Sequence, residues 1–193
     1  MIAAVLAGGR SRRFGSDKLL VRIDGKPLIL HTIERLELAR EIDRIVLIAS
    51  RENADKIRAL GYEVLIDSLM IGPMGGIYTA LGLGDAFVVA GDMPLLVPEL
   101  IDFIIDMFHR AKKPACVPRW ANGYLEPLHA AYSRDFLPFI EKKIKAGEYS
   151  INLAVREGGA CYVDIAELPE EWREGFFNVN TRRDVGKLKG RRI

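Results

Sequence analysis

Four short, almost unbroken apolar runs limit what this chain can fold into more than any other feature. They are IAAVLA at 2–7, RIVLIAS at 44–50, YEVLIDS at 62–68 and DAFVVAGDMP at 85–94. A strand with one face in water alternates apolar and polar residues, whereas a run apolar at successive positions must be covered on both faces. Segments with helical spacing separate the runs. Ile29, Ile33 and Leu36 place a helix over 28–39, and a second covers 53–60 and stops at Gly61. Pro73 stands in the first turn of a third helix, where its missing N–H costs nothing, and a fourth spans 98–109. This alternation predicts a three-layer α/β/α fold with a mainly parallel, Rossmann-like central sheet.

The rest of the chain is less regular. LLVRI at 19–23 reads as a short extended piece closed by the turn DGKP, and PACVP and LEPLHAAYS read as strands. Residues 135–146 read as a helix, GACYVDI as a late strand, and FFNVNT as an extended piece entering a terminal helix. No repeat or linker interrupts the chain, and 193 residues suit one domain, 1–193. Apolar residues at 49% with 28% charged indicate a soluble globular protein. A net charge of +2 gives no global field for nucleic acid or a membrane surface, and no apolar run approaches the ~20 residues that span a bilayer. The opening MIAAVLAGG reads as a strand rather than a secretory leader, having no basic segment before it. Cys116 and Cys161 lie far apart and outside any C-x-x-C spacing, so a zinc site is unsupported and a reducing cytoplasm is expected; a single disulfide between them stays open. The absence of glutamine and the wealth of Lys, Arg and Glu lean toward a thermophilic source.

In an open parallel sheet, ligands bind beyond the carboxyl ends of the strands. Here those ends carry the unusual residues. The first run enters Gly8, Gly9 and a loop with Arg10, Arg12, Arg13 and Lys18; the second reaches Ser50 and Arg51, the third Asp67, the fourth Gly91 and Asp92. Glycines let backbone N–H groups approach phosphate oxygens, and Arg and Lys neutralise a polyphosphate. The loop is neither a Walker sequence nor a G-x-G-x-x-G fingerprint, and a tight turn with solvated arginines is the plain alternative. Asp92 ends a very apolar strand, so its carboxylate must be paired, cap a turn or bind a cation. Beside a polyphosphate that cation is Mg²⁺. Asp67 reads either as an ordinary turn residue or as a hydrogen-bond partner of a ribose or base. The glycines of IGPMGGI either expose backbone to a flat base or let a helix pack closely on the sheet. His31, His109 and His129 show no metal or triad spacing, and Trp120 and Trp172 read as covers for the edge of the core.

LAGGRSRRFGSDK resembles the N-terminal signature of the molybdopterin guanylyltransferases, the MobA family. GPMGG and AGDMP follow in the family's order, and EPLHAAY at 126–132 and FFNVNT at 176–181 resemble its later motifs. The resemblance covers nearly the whole chain. It implies a nucleotide-diphospho-sugar transferase-like fold, with a nucleotide-binding half at 1–97 and an acceptor-binding half at 98–193. It also implies Mg²⁺-dependent transfer of GMP from GTP to the phosphate of molybdopterin, Mo- or W-loaded, with release of pyrophosphate. Carried over by position, Leu6, Ala7, Gly8 and Gly9 would lie against GTP, Lys18 on its phosphates, Asp67 on the nucleoside, and Asp92 on Mg²⁺. Glu126, Asn178 and Asn180 would face the pterin. Arg13 and Lys18 would stabilise the departing pyrophosphate, with Arg10 as a helper. Proteins that deliver the pterin would be further partners. Three positions depart from the family pattern: Ser50, where some members have an asparagine that contacts the nucleotide; Phe14, where Met is commoner; and Arg182, where Pro usually follows the threonine. Rival readings are CMP transfer to molybdopterin or an isoprenoid alcohol phosphate, GMP transfer to a cobamide precursor, nucleotide transfer to a sugar phosphate, and a non-catalytic nucleotide-binding protein.

Overall fold

The computed structural model describes residues 1–8 and 17–188. Gly9, Arg10, Arg12, Arg13 and Phe14 therefore lie outside the described residues.

The four apolar runs form the centre of a seven-stranded sheet: β1 (Ile2–Leu6), β4 (Arg44–Ala49), β5 (Glu63–Ile66) and β6 (Ala86–Ala90). A small antiparallel pair, β2 (Arg22–Ile23) and β3 (Lys26–Pro27), lies apart from it. β7 (Ala115–Arg119), β8 (His129–Tyr132) and β9 (Cys161–Asp164) complete the sheet in the order β5-β4-β1-β6-β8-β7-β9. All pairings are parallel except those of β8, which runs against both β6 and β7.

Alternate residues of the strands face two separate cores. On one face Ala3, Val5, Leu47, Phe87 and Val89 pack under α1 (Leu28–Glu37), α2 (Ala54–Arg58) and α4 (Pro98–Ala111). On the other, Ala4, Val46, Ile48 and Val88 pack under α3 (Pro73–Leu81), α5 (Leu137–Lys145) and α6 (Ile151–Glu157). Ala3, Ala4 and Val5 at the centre of β1 are all buried for this reason. The chain winds from β1 through β4 to β5 and then returns to place β6 on the far side of β1. The crossovers put α1 and α2 on one face and α3 on the other, as the reversal of winding requires. The reversal beside β1 is where such sheets leave a crevice.

Three expectations change in detail. Leu19 and Leu20 belong to a tight 3-10 turn, Lys18–Leu20, with Leu19 buried, and only Arg22–Ile23 is strand. In LEPLHAAYS the strand is confined to His129–Tyr132, with a lone bridge between Arg119 and Leu125 before it. The INLAVRE segment, absent from the sequence-based reading, is helix α6, capped by Ser150 Oγ accepting from Leu153 N–H at 3.4 Å. The terminal helix α7 (Arg182–Leu188) starts without proline. Thr181 Oγ1 accepts from Asp184 N–H (3.3 Å), while Asp184 Oδ2 accepts from Thr181 N–H (2.9 Å), a reciprocal cap. Among the described residues no helix is long and apolar enough to cross a membrane. Cys116 and Cys161 are neighbours in register across β7 and β9, and both are free thiols.

Candidate active site

Strand register brings the sequence cues together. Leu6 pairs with Ile48 on one side and Ala90 on the other, and Ile48 pairs with Leu65. The ladder continues just past the strand ends: Ala7 N–H donates to Ile48 O (2.8 Å), Gly91 N–H to Leu6 O (3.1 Å), and Asp67 N–H to Ala49 O (2.9 Å). Gly8, Ser50, Asp67 and Asp92 thus leave one rim of the sheet. They line a cavity of about 720 Å³ together with Leu6, Lys18, Gly72, Gly76 and Leu128.

At this rim Lys18 and Asp92 form an ion pair, both side chains largely buried. The 3-10 turn holds Lys18 in place by burying Leu19 next to it. Among the described residues the Asp92 carboxylate accepts from no amide of its own turn, and its carbonyl accepts from Val179 N–H at 2.9 Å. Among the described residues Lys18 supplies the pairing that a buried carboxylate requires. The carboxylate's donor chemistry fits Mg²⁺, which takes one or two carboxylates and completes its shell with substrate phosphates and water. Among the described residues no three His, Cys, Asp or Glu side chains cluster as a self-sufficient metal site.

Asp67 serves the loop that roofs the cavity. Its Oδ1 accepts from Leu69 N–H (2.9 Å) and Met70 N–H (3.1 Å). The carboxylate also rests on α3: a Cβ on Gly75 would stand 2.7 Å from each Asp67 oxygen, and one on Gly76 would stand 2.8 Å from Leu6 Cδ2. The two proposed uses of IGPMGGI are therefore divided. Gly75 and Gly76 permit close packing, while Gly72 and Gly76 also line the cavity.

Ala7 is placed differently from its neighbours. It is buried and does not line the cavity; its N–H goes to Ile48 and its carbonyl accepts from Asn53 Nδ2 at 2.7 Å. Asn53 was not among the sequence-based candidates, because an asparagine opening a helix looks like an ordinary cap.

The matching family model, described as MobA-like NTP transferase domain, covers residues 3–157, most of the chain. The chain belongs to this family. A relative from Thermococcus kodakarensis named probable molybdenum cofactor guanylyltransferase is 70% identical, over 97% of this chain and 94% of that protein. One of the same name from Pyrococcus furiosus is 58% identical, over 98% and 96%. Among solved structures, molybdopterin-guanine dinucleotide biosynthesis protein A from Archaeoglobus fulgidus superposes with a TM-score of 0.85 at 29% identity, covering 98% and 97% of the two chains. CMP:2-keto-3-deoxy-manno-octonic acid synthetase, complexed with CTP, shares the fold at 15% identity with a TM-score of 0.69.

In this MobA-like NTP transferase the acceptor-side candidates lie outside the residues lining the cavity, and Asn178 and Asn180 flank Val179, whose N–H donates to Asp92 O. Glu126 is half-buried and accepts from Trp120 Nε1–H at 2.7 Å. Burial pushes its carboxyl up from the usual range, and the Trp120 bond pulls the other way. Trp120 packs edge-on against Phe176, and Phe176 against His129, so it joins two motifs rather than merely covering the core. Asn178 Nδ2 donates to Phe176 O (3.0 Å), and Asn180, which is exposed, gives its N–H to Asp184 Oδ2 (3.2 Å). His129 is fully buried between Phe87 and Phe176, and burial pushes its ring down to about 3, which keeps it neutral. Gly9, expected against GTP, and Arg13, expected to stabilise the departing pyrophosphate, lie outside the described residues.

Proposed function

We propose that this chain transfers GMP from GTP to the terminal phosphate of molybdopterin. An acceptor phosphate oxygen attacks the α-phosphorus of GTP. The bond from that phosphorus to the α,β-bridging oxygen breaks, and pyrophosphate leaves. The observation that carries the reading is the Lys18–Asp92 pair at the mouth of a glycine-lined cavity, tied through Val179 to the segment holding Asn178 and Asn180. The names of the relatives support guanine and molybdopterin as the two substrates. Residues 1–97 supply the nucleotide half and 98–193 the acceptor half, with Leu128 of the second reaching the cavity of the first.

Lys18 binds phosphate oxygens and neutralises charge as pyrophosphate departs, and Arg13 is assigned the same role from the sequence. Asp92 would hold Mg²⁺; when bound, the ion supplies charge neutralisation to the phosphate oxygens. Asp67 orders the roof over the nucleoside, and Leu6 and Gly8 form the wall against it. Glu126, Asn178 and Asn180 orient the pterin. No covalent intermediate is required, so positioning and electrostatics carry the catalysis. The two free thiols accord with a cytoplasmic setting.

D92A tests the assignment. Transfer should fall by at least about 10²-fold, as for removal of a group that stabilises transition-state charge, while circular dichroism still shows the native fold. Near-wild-type turnover would remove Asp92 from the mechanism.

A further inference from the structure

We infer that Asn53 is a positioning residue for the nucleotide, fixing the turn after β1 and the hydrogen-bonding polarity of Ser50. The inference rests on reading the cavity as the GTP site. Asn53 stands at the N-cap of α2, where an asparagine side chain ordinarily accepts from the first turn of its own helix. It makes no such bond. The first turn is served instead by Ser50 O, which accepts from Ala54 N–H at 3.0 Å.

The side chain reaches across to β1. Nδ2 donates to Ala7 O at 2.7 Å, and Oδ1 accepts from Ser50 N–H at 3.0 Å and from Ser50 Oγ at 2.9 Å. The orientation is forced, since a carbonyl can only accept and a backbone N–H can only donate. With the amide so fixed, the Ser50 hydroxyl gives its proton to Asn53. Ser50 therefore offers a ligand only its lone pairs. Ser50 and Gly8 line the cavity, and a Cβ on Gly8 would lie 3.4 Å from Ser50 N, so the two strand ends touch. Asn53 does not line the cavity and acts through Ala7 and Ser50.

N53D separates this role from helix capping. Aspartate is isosteric, favours a helix N-terminus, and keeps an acceptor for Ser50. It also sets an oxygen against the Ala7 carbonyl. A capping residue would be indifferent or improved. We expect N53D to raise KM for GTP ~10-fold, about 1.4 kcal/mol, with kcat and KM for molybdopterin within about two-fold of wild type. N53A should change in the same direction. Thermal shift by GTP with Mg²⁺, measured in parallel, should shrink in both variants. An N53D enzyme with wild-type KM and thermal shift overturns the inference, as does an equal rise of both KM values with a lowered melting temperature. A wild type that GTP stabilises but that does not modify molybdopterin refutes the acceptor reading and leaves the Asn53 comparison readable by thermal shift. A wild type that GTP does not stabilise overturns both.

Discussion

Glu126 shows at the scale of one residue how burial and function pull apart. Its folded carboxyl titrates above its ordinary 4.5, chiefly because it is buried. A raised acid of this kind favours the fold below the unfolded pKa, and that contribution is lost as pH rises through the folded value. At neutral pH the ionised side chain therefore weakens the fold. Gln at this position keeps an oxygen for Trp120 Nε1–H and removes the charge. E126Q should melt higher than wild type at pH 7, with the gap closing below pH ~4, while KM for molybdopterin rises. Scanning calorimetry across pH checks the first part, and a lower melting temperature at pH 7 would mean that the charge is compensated in the fold. The sequence marked Glu126 through its motif but missed Trp120 as its partner. The signal was there in Asn122-Gly123, a turn that brings residues six apart face to face. Asn53 was harder to see, because its identity and position suit a cap and only the geometry reveals that the side chain turns away.

Elements were legible in proportion to how distinctive their pattern is. The four runs that became β1, β4, β5 and β6 could be buried in only one way, and the residues after them fell on a common rim. The antiparallel course of β8 was not readable: His129–Tyr132 is buried at every position, which looks the same in either direction. α6 has only seven residues, too few for a helical period to stand out. Helix glycines offer a test at this scale. G75A sets a methyl 2.7 Å from both Asp67 oxygens, so the carboxylate must leave its place. It should cost ~1–3 kcal/mol and weaken GTP binding by releasing the Asp67 bonds to Leu69 and Met70. Gly186 of α7 is exposed, a Cβ there would meet none of the described residues within 4 Å, and G186A should instead stabilise by ~0.5–1 kcal/mol. Denaturant unfolding of the pair checks the sign, and a stabilising G75A would contradict the packing argument.

At the scale of the whole molecule, the sheet reverses direction beside β1 and opens its cavity there, and the second half closes back on that point. Val179 bonded to Asp92, and Leu128 reaching the cavity, join sequence segments that composition and periodicity could not bring together. The motifs named candidates; strand register is what sets Gly8, Ser50, Asp67 and Asp92 on one rim. In the assembled wall the Ser50 hydroxyl is bonded to Asn53 and the Asp67 carboxylate to the Leu69 and Met70 amides. The central claim is most directly tested by incubating the protein with Mg²⁺, molybdopterin and α-labelled GTP or CTP, and following dinucleotide and pyrophosphate. The account predicts a guanine dinucleotide with one pyrophosphate per product and little product from CTP. Preferential product from CTP, or none from GTP, would contradict it.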